Sequence, residues 1–279
     1  MRGFLLRSSI LAWMWKGAPI LVGVAGEVFF LIAPAWSGAF NQPAGTGQVI
    51  TTLTAMQGDF SFGSTGKLAK TPLYRKGELS LYIEYGVTGW LMAIARPAAE
   101  TVSIGPPTRA KINGLGDSEA GLQLRLFTLG DSVFALRATG IAPGHAGSHN
   151  GAAAGHTAGA AQADLVTGYS FSLGPWPSFI ESSVGYRRRG APYASEWRSD
   201  AAFGTRPLGN VLLLLKAFTI YAPRYEGPVL SAAYSLKAQA SVVYDIDAHW
   251  SVEAGAFTTL IGRSSLRERG ALLSVWRKF

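Results

Sequence analysis

KGELSLYIEYGVTGWLMAIARP, residues 76–97, is the stretch that decides the fold. Leu79, Leu81, Ile83 and Tyr85 alternate with Glu78, Ser80, Tyr82 and Glu84, which gives a β-strand one apolar and one polar face. Residues 86–89 read as a short turn, and Trp90 opens a second apolar run. The same texture returns along the chain. Leu122, Leu124 and Leu126 alternate with Gln123 and Arg125, and Leu236, Ala238, Ala240, Val242 and Tyr244 with Lys237, Gln239 and Ser241. A soluble β-sandwich would show this alternation too, so the connections have to choose.

Strands are expected near 48–59, 76–86, 90–103, 117–129, 132–142, 163–173, 178–188, 196–205, 211–222, 229–244, 250–260 and 271–279. Every second connection is short (Gly130-Asp131 is two residues), while 60–75, 104–116, 143–162 and 261–270 are longer. That alternation puts the turns at one rim and the loops at the other. Bacterial outer-membrane barrels are built this way. The expected fold is therefore all-β, a transmembrane antiparallel up-and-down barrel of about twelve strands that uses the whole of residues 40–279. Trp90, Trp176 and Trp250 at short turns, with Trp276 and Phe279 at the chain end, fit aromatic girdles at the membrane interfaces. Arg277 departs from the pattern, because it falls on the face expected to be apolar.

Composition agrees with this reading. The chain is 48% hydrophobic and only 15% charged, which excludes a disordered protein. No run beyond residue 40 reaches the ~18 apolar residues of a spanning helix, and Val211–Ala222 is broken by Lys216. Cysteine is absent, so disulfides, thiolate metal sites and thiol nucleophiles are excluded. The net charge of +8 comes from scattered residues, clustered only at Arg187-Arg188-Arg189, so no nucleic-acid partner is expected.

Residues 1–39 carry Arg2, Arg7 and Lys16, an apolar stretch over 18–33, and small residues after it. Those are the parts of a secretory signal, expected to be cut after Ala39, with Ala33-Pro34-Ala35 as a second site. Glu27 within the apolar stretch keeps an uncleaved anchor as the other reading, and Met14 is an alternative start. Losing three positive charges and one negative charge lowers +8 to +6. The protein is expected in the outer membrane of a Gram-negative bacterium, with outer-membrane lipid and the barrel-assembly machinery as partners.

If the apolar positions face lipid, the alternate ones line the lumen. They are Glu78, Glu84, Arg96, Glu100, Glu119, Gln123, Arg125, Arg137, Glu181, Glu196, Arg198, Asp200, Lys216, Lys237, Gln239 and Glu253. Both signs occur, so either a narrow wet channel or an ion-paired filling is expected. Arg96, Arg125 and Arg137 on neighbouring strands are expected to form a positive patch, partly neutralised by Glu100 and Glu119. No catalytic set is found. His145, His149 and His156 fall in one loop and His249 in a turn, which leaves a wall-mounted serine without its base. Glu78 and Glu84, six residues apart on a strand, stand roughly 20 Å apart, beyond the ~5–10 Å of glycoside chemistry. The three loop histidines have irregular spacing and no carboxylate among them, so neither metal nor cofactor is expected.

The segment 76–97, with Gln48-Val49-Ile50 and Gln57-Gly58-Asp59, resembles the outer-membrane proteins associated with phenol meta-cleavage degradation. More distantly it is similar to hydrophobic-compound channels of the fatty-acid-transporter type. The resemblance covers about a third of residues 40–279 and rests on strand–turn–strand texture. It implies passive uptake or sensing of small organic compounds and supplies no substrate residues. About eight residues precede the first expected strand, so no N-terminal plug is expected. The expected function is thus passive passage of small organic or weakly polar solutes, without enzymatic activity. The alternative is a non-conducting structural or adhesion barrel.

Overall fold

A computed structural model describes residues 38–144, 156, 158–191, 193–223 and 233–279. Residues 1–37, which hold most of the expected signal, and histidines 145 and 149 lie outside the described residues. Fifteen strand segments run β1 (Gly47–Phe62), β2 (Leu68–Gly86), β3 (Leu91–Arg96), β4 (Ala98–Ile104), β5 (Ala110–Leu115), β6 (Ser118–Leu129), β7 (Ser132–Ala142) and β8 (Ala160–Leu173). They continue with β9 (Trp176–Arg189), β10 (Glu196–Leu208), β11 (Val211–Ala222), β12 (Ala233–Asp245), β13 (Trp250–Arg263), β14 (Ser265–Leu266) and β15 (Arg269–Lys278). Three pairs of segments, β3/β4, β5/β6 and β14/β15, each make one broken wall strand. The wall therefore has twelve antiparallel strands, closed where β1 pairs with β15 from Gln48↔Lys278 to Gln57↔Arg269.

Alternation sets which side each residue faces. Leu53, Leu122, Leu136, Leu165, Leu215 and Leu273 are exposed on the outside, while Thr52, Gln123, Arg137, Asp164, Lys216 and Ser274 are buried inside. Closure gives every wall strand a hydrogen-bonded neighbour on both sides, the arrangement that backbone polar groups need in lipid. Trp90, Trp176 and Trp250 are exposed at the short-turn rim, and Trp197 packs tilted against Tyr186 (5.1 Å between centroids) toward the other. Arg277 lies over the Trp250 ring at 5.0 Å, so the rim aromatic shelters the charge that the sequence pattern left unexplained. Trp276 does not join the girdle. It points inward, and its Nε1 donates to Glu253.

Four sequence expectations change. The strand expected over 90–103 breaks at Pro97, whose ring leaves no N–H for the ladder. On one edge β3 and β4 both continue along β2; on the other, β3 pairs with β6 and β4 with β5. The connections 60–75, 104–116 and 261–270 are largely strand. Over 68–75 and 104–115 the wall rises as Tyr74, Ile104 and Ile112 pack on Val102 and Ala110. Arg96, Arg125 and Arg137 make no positive patch, since each finds a separate oxygen partner. Finally, the barrel does hold an N-terminal plug.

Candidate functional site

The plug is the run from Gly38 to Pro43 just before β1. It crosses the lumen floor toward β7 and β8, where Ala39 packs with Ala135 and Val166 and with Phe40. Polar contacts hold it along its length. Gln123 Nε2 donates to Gly38 O (2.8 Å) and Asn41 Oδ1 (3.1 Å), and Gln42 Nε2 donates to Glu84 (3.0 Å). The Ala39 N–H donates to Glu181 at 3.0 Å, and the Gln42 N–H reaches Met92 Sδ at 3.4 Å. Three of the expected lumen residues, Glu84, Gln123 and Glu181, therefore grip the plug. The rest of the floor is apolar: Trp276 packs against Ile50, Tyr82, Met92 and Ile94 on one side and Leu212, Leu214 and Val243 on the other.

Above this floor the lumen has two lobes. One is a cavity of about 270 Å³ lined by Ile50, Thr52, Tyr82, Phe218, Ile220, Phe257, Leu272 and Ser274. Lys216, Gln239 and Glu253 lie on its wall. The Lys216 Nζ to Glu253 distance is 3.3 Å with both side chains buried, and Gln239 bonds Ser241. Nearer the loop rim Lys237 pairs with Glu268 and lies 5.1 Å above the Phe257 ring. The second cavity, also about 270 Å³, is lined by Arg96, Glu119, Arg137, Thr139, Gln162, Asp164, Arg187, Arg198 and Asp200. Tyr82, Arg198, Phe218 and Lys237 border both.

A belt of ion pairs runs through the second lobe. Lys76 bridges Glu100 (2.7 Å) and Glu78 (3.0 Å), Glu78 meets Arg96 (2.6 Å), and Arg96 approaches Glu119 (4.0 Å). Glu119 then meets Arg187 (2.9 Å), which leads to Glu196, itself held by Arg189 (2.9 Å) and Arg198 (3.5 Å). Arg137 pairs separately with Asp164 at 3.2 Å. The belt crosses the wall where β3/β4 and β5/β6 are broken, and Gly116 leaves room there for the Glu100 carboxylate. Arg125 stands apart at the short-turn rim, half-buried, its guanidinium donating to Gly89 O in a solvent-exposed bond.

At the loop rim, outside the strands, Asp117 accepts from the His156 ring and backbone N–H and from Gly144 N–H (3.3 Å). Burial pushes the Asp117 carboxyl up, but these bonds and the His156 charge outweigh it and hold the group well below the usual carboxylate range. A carboxylate thus does reach one loop histidine, though no group of three or more metal-ligating residues occurs among the described residues.

Sequence reasoning missed two kinds of residue. Lys76, Arg187 and Arg189 share parity with neighbouring charged lumen positions, a signal that was available. Met92 and Phe218 are inward apolar groups on strands that open LMAIAR and VLLLL, apolar on both faces, so alternation cannot single them out. Tyr82, Phe179 and Trp276 share parity with Glu84, Glu181 and Ser274 but are aromatic, so a search for polar lumen side chains passes over them.

No family model matches the sequence, and no curated protein matches it. Among solved structures, the chain is similar to an outer membrane channel from Pseudomonas putida, with a TM-score of 0.68 and 13% identity over 87% of this chain and 99% of that one. It is also similar to the translocator domain of the autotransporter NalP from Neisseria meningitidis (TM-score 0.53, 13% identity, 88% and 92% covered). A further match is the β domain of the Bordetella autotransporter BrkA (TM-score 0.53, 13% identity, 84% and 99% covered). At these identities the likeness is one of fold, that of the outer-membrane β-barrel.

Proposed function

We propose that the chain is an outer-membrane channel for passive passage of small organic or weakly polar solutes. The observation that carries this reading is the first lobe: hydroxyls and aromatic or aliphatic groups together line a 270 Å³ cavity inside a barrel most of whose lumen arginines and lysines are ion-paired. Such a wall suits a solute with an apolar body and one or two polar groups. The similarity to an outer membrane channel supports the same reading. So does the resemblance to phenol-pathway outer-membrane proteins, which favours aromatic compounds. Passage without catalysis is proposed too, since His156 and His249 stand at the rims and a wall serine would lack its base.

One observation favours the second reading, a non-conducting structural barrel. The plug and the Trp276 cluster together close the floor. Planar-bilayer recording separates the two. Steady conductance, with liposome swelling in a small aromatic alcohol faster than in a sugar of similar mass, supports the channel. Silence across voltages together with no swelling supports the structural barrel.

A further inference from the structure

Six acidic residues of the described chain are buried: Glu84, Glu100, Asp164, Glu181, Glu196 and Glu253. Four have a cation: Glu100 has Lys76, Asp164 has Arg137, Glu196 has three arginines and Glu253 has Lys216. Glu84 and Glu181 make no ion pair among the described residues, and Lys216 and Arg137, each committed to its own carboxylate, act on Glu181 only from beyond ion-pair distance. Glu84 accepts only from neutral groups, the Tyr82 hydroxyl and the Gln42 and Gln48 amides, and Glu181 accepts from the Ala39 N–H. A buried carboxylate with no cation is costly, and two near one point are more so. That point is Gly38. A side-chain carbon built on Gly38 would stand 3.6 Å from Glu84 Oε1 and 3.9 Å from Glu181 Oε1.

We propose that the mature protein begins at Gly38 and that its α-ammonium is the missing cation, clasped between Glu84 and Glu181 inside the barrel. Ala35 and Ser37 put small residues at the two positions a signal peptidase reads. Hydrolysis of the Ser37–Gly38 peptide bond consumes one water. Its hydroxyl goes to the Ser37 carbonyl carbon and its hydrogen to the Gly38 nitrogen, and the new amine takes a proton from solvent. Cutting after Ala39 instead would remove the bonds from Gln123 to Gly38 O and from Ala39 N–H to Glu181, two of the contacts that seat the plug. Export processing would thus create the charge that locks the plug. This inference stands whether or not the barrel conducts.

N-terminal sequencing and intact mass of protein purified from the outer membrane give the first test. A start at Gly38 is expected; a start at Phe40 or Trp36, or an uncut leader, overturns the proposal. The clasp is tested with 2-pyridinecarboxaldehyde, which labels α-amines. The folded barrel is expected to label about tenfold more slowly than the urea-unfolded chain, the equivalent of about 1.4 kcal/mol. The E84Q/E181Q variant, its folding checked by heat-modifiable gel mobility, is expected to lose most of that protection. Equal rates for folded and unfolded wild type overturn the clasp, and so does full protection in the folded double variant. Should the double variant not assemble, E84Q and E181Q singly carry the same test with partial loss expected.

Discussion

The two lobes of the lumen share Tyr82, Arg198, Phe218 and Lys237 but bury polar groups differently. Along β11–β15 the lumen charges form separate pairs: Lys216–Glu253 is buried between apolar and hydroxyl groups, Lys237–Glu268 lies nearer the loop rim, and the floor beneath is packed around Trp276. Along β2, the broken β3/β4 strand and β6–β10, charges form a belt in which Glu78, Glu119 and Glu196 each meet more than one cation. The difference concerns redundancy. An isolated buried pair fails when one partner goes, whereas a belt can reassign its partners. It also divides labour in the proposed channel, with one side fit to carry a weakly polar solute and the other bracing a wall whose ladder is interrupted.

The largest effects are expected on the isolated side. Trp276→Ala should cost about 4 kcal/mol, since it removes the ring on which both floor clusters pack. Thermal melting in detergent measures the loss, and bilayer recording should show raised conductance as the floor of the first lobe opens. Unchanged conductance would place the closure in the plug alone. Lys216→Met comes next, at about 3 kcal/mol, because Glu253 is left as an uncompensated buried charge with only the Trp276 N–H. Adding Glu253→Gln should recover most of that loss in urea unfolding. Arg187→Met in the belt is expected to cost less, about 1–2 kcal/mol, because Glu119 keeps Arg96 and Glu196 keeps Arg189 and Arg198. Should Arg187→Met cost as much as Lys216→Met, redundancy is not what separates the lobes.

The sequence made the barrel legible through period-two alternation and through turns such as Gly130-Asp131. Which side most charges face followed from the cost of charge in lipid. What stayed hidden has one physical source. Alternation tells inside from outside only where the two faces differ in polarity, and along Leu91–Arg96 and Val211–Leu215 they do not. The Trp276 floor takes Met92, Ile94, Leu212 and Leu214 from those segments. The plug was hidden for another reason. Residues 38–43 have no periodicity, and their place depends on Gln123, Glu84 and Glu181, distant in the chain.

A smaller effect belongs to the loop rim above the belt. Asp117 has its carboxyl held low, so its contribution is complete above the ordinary Asp value near 4 and is lost as pH falls below it toward the depressed folded value. The anchorage of His156 and Gly144 should therefore hold at neutral pH and loosen in acid. Limited proteolysis of the loop after β7 checks this, with cleavage expected to accelerate below about pH 4 and Asp117→Asn expected to show the fast rate at every pH.

The smallest effect is expected at Arg125. Its parity places it with Gln123, and from sequence alone reversing its charge should change the ion preference of the pore. The fold locates it elsewhere. The bulge between Arg125 and Phe127 ends the alternation there, and the guanidinium reaches over the short-turn rim to Gly89 O in a solvent-exposed bond. A charge so placed is screened within about 8 Å at physiological ionic strength, and its single contact contributes at most about 1 kcal/mol. It lies below both lobes and outside the belt. Arg125→Glu should therefore leave assembly intact and change the anion/cation permeability ratio by less than about twofold, an amount that vanishes in high salt. Reversal-potential measurements in a salt gradient decide the matter. A large, salt-resistant shift would mean that ions pass close to Arg125 and that the plugged side, not the apolar lobe, is the conducting one.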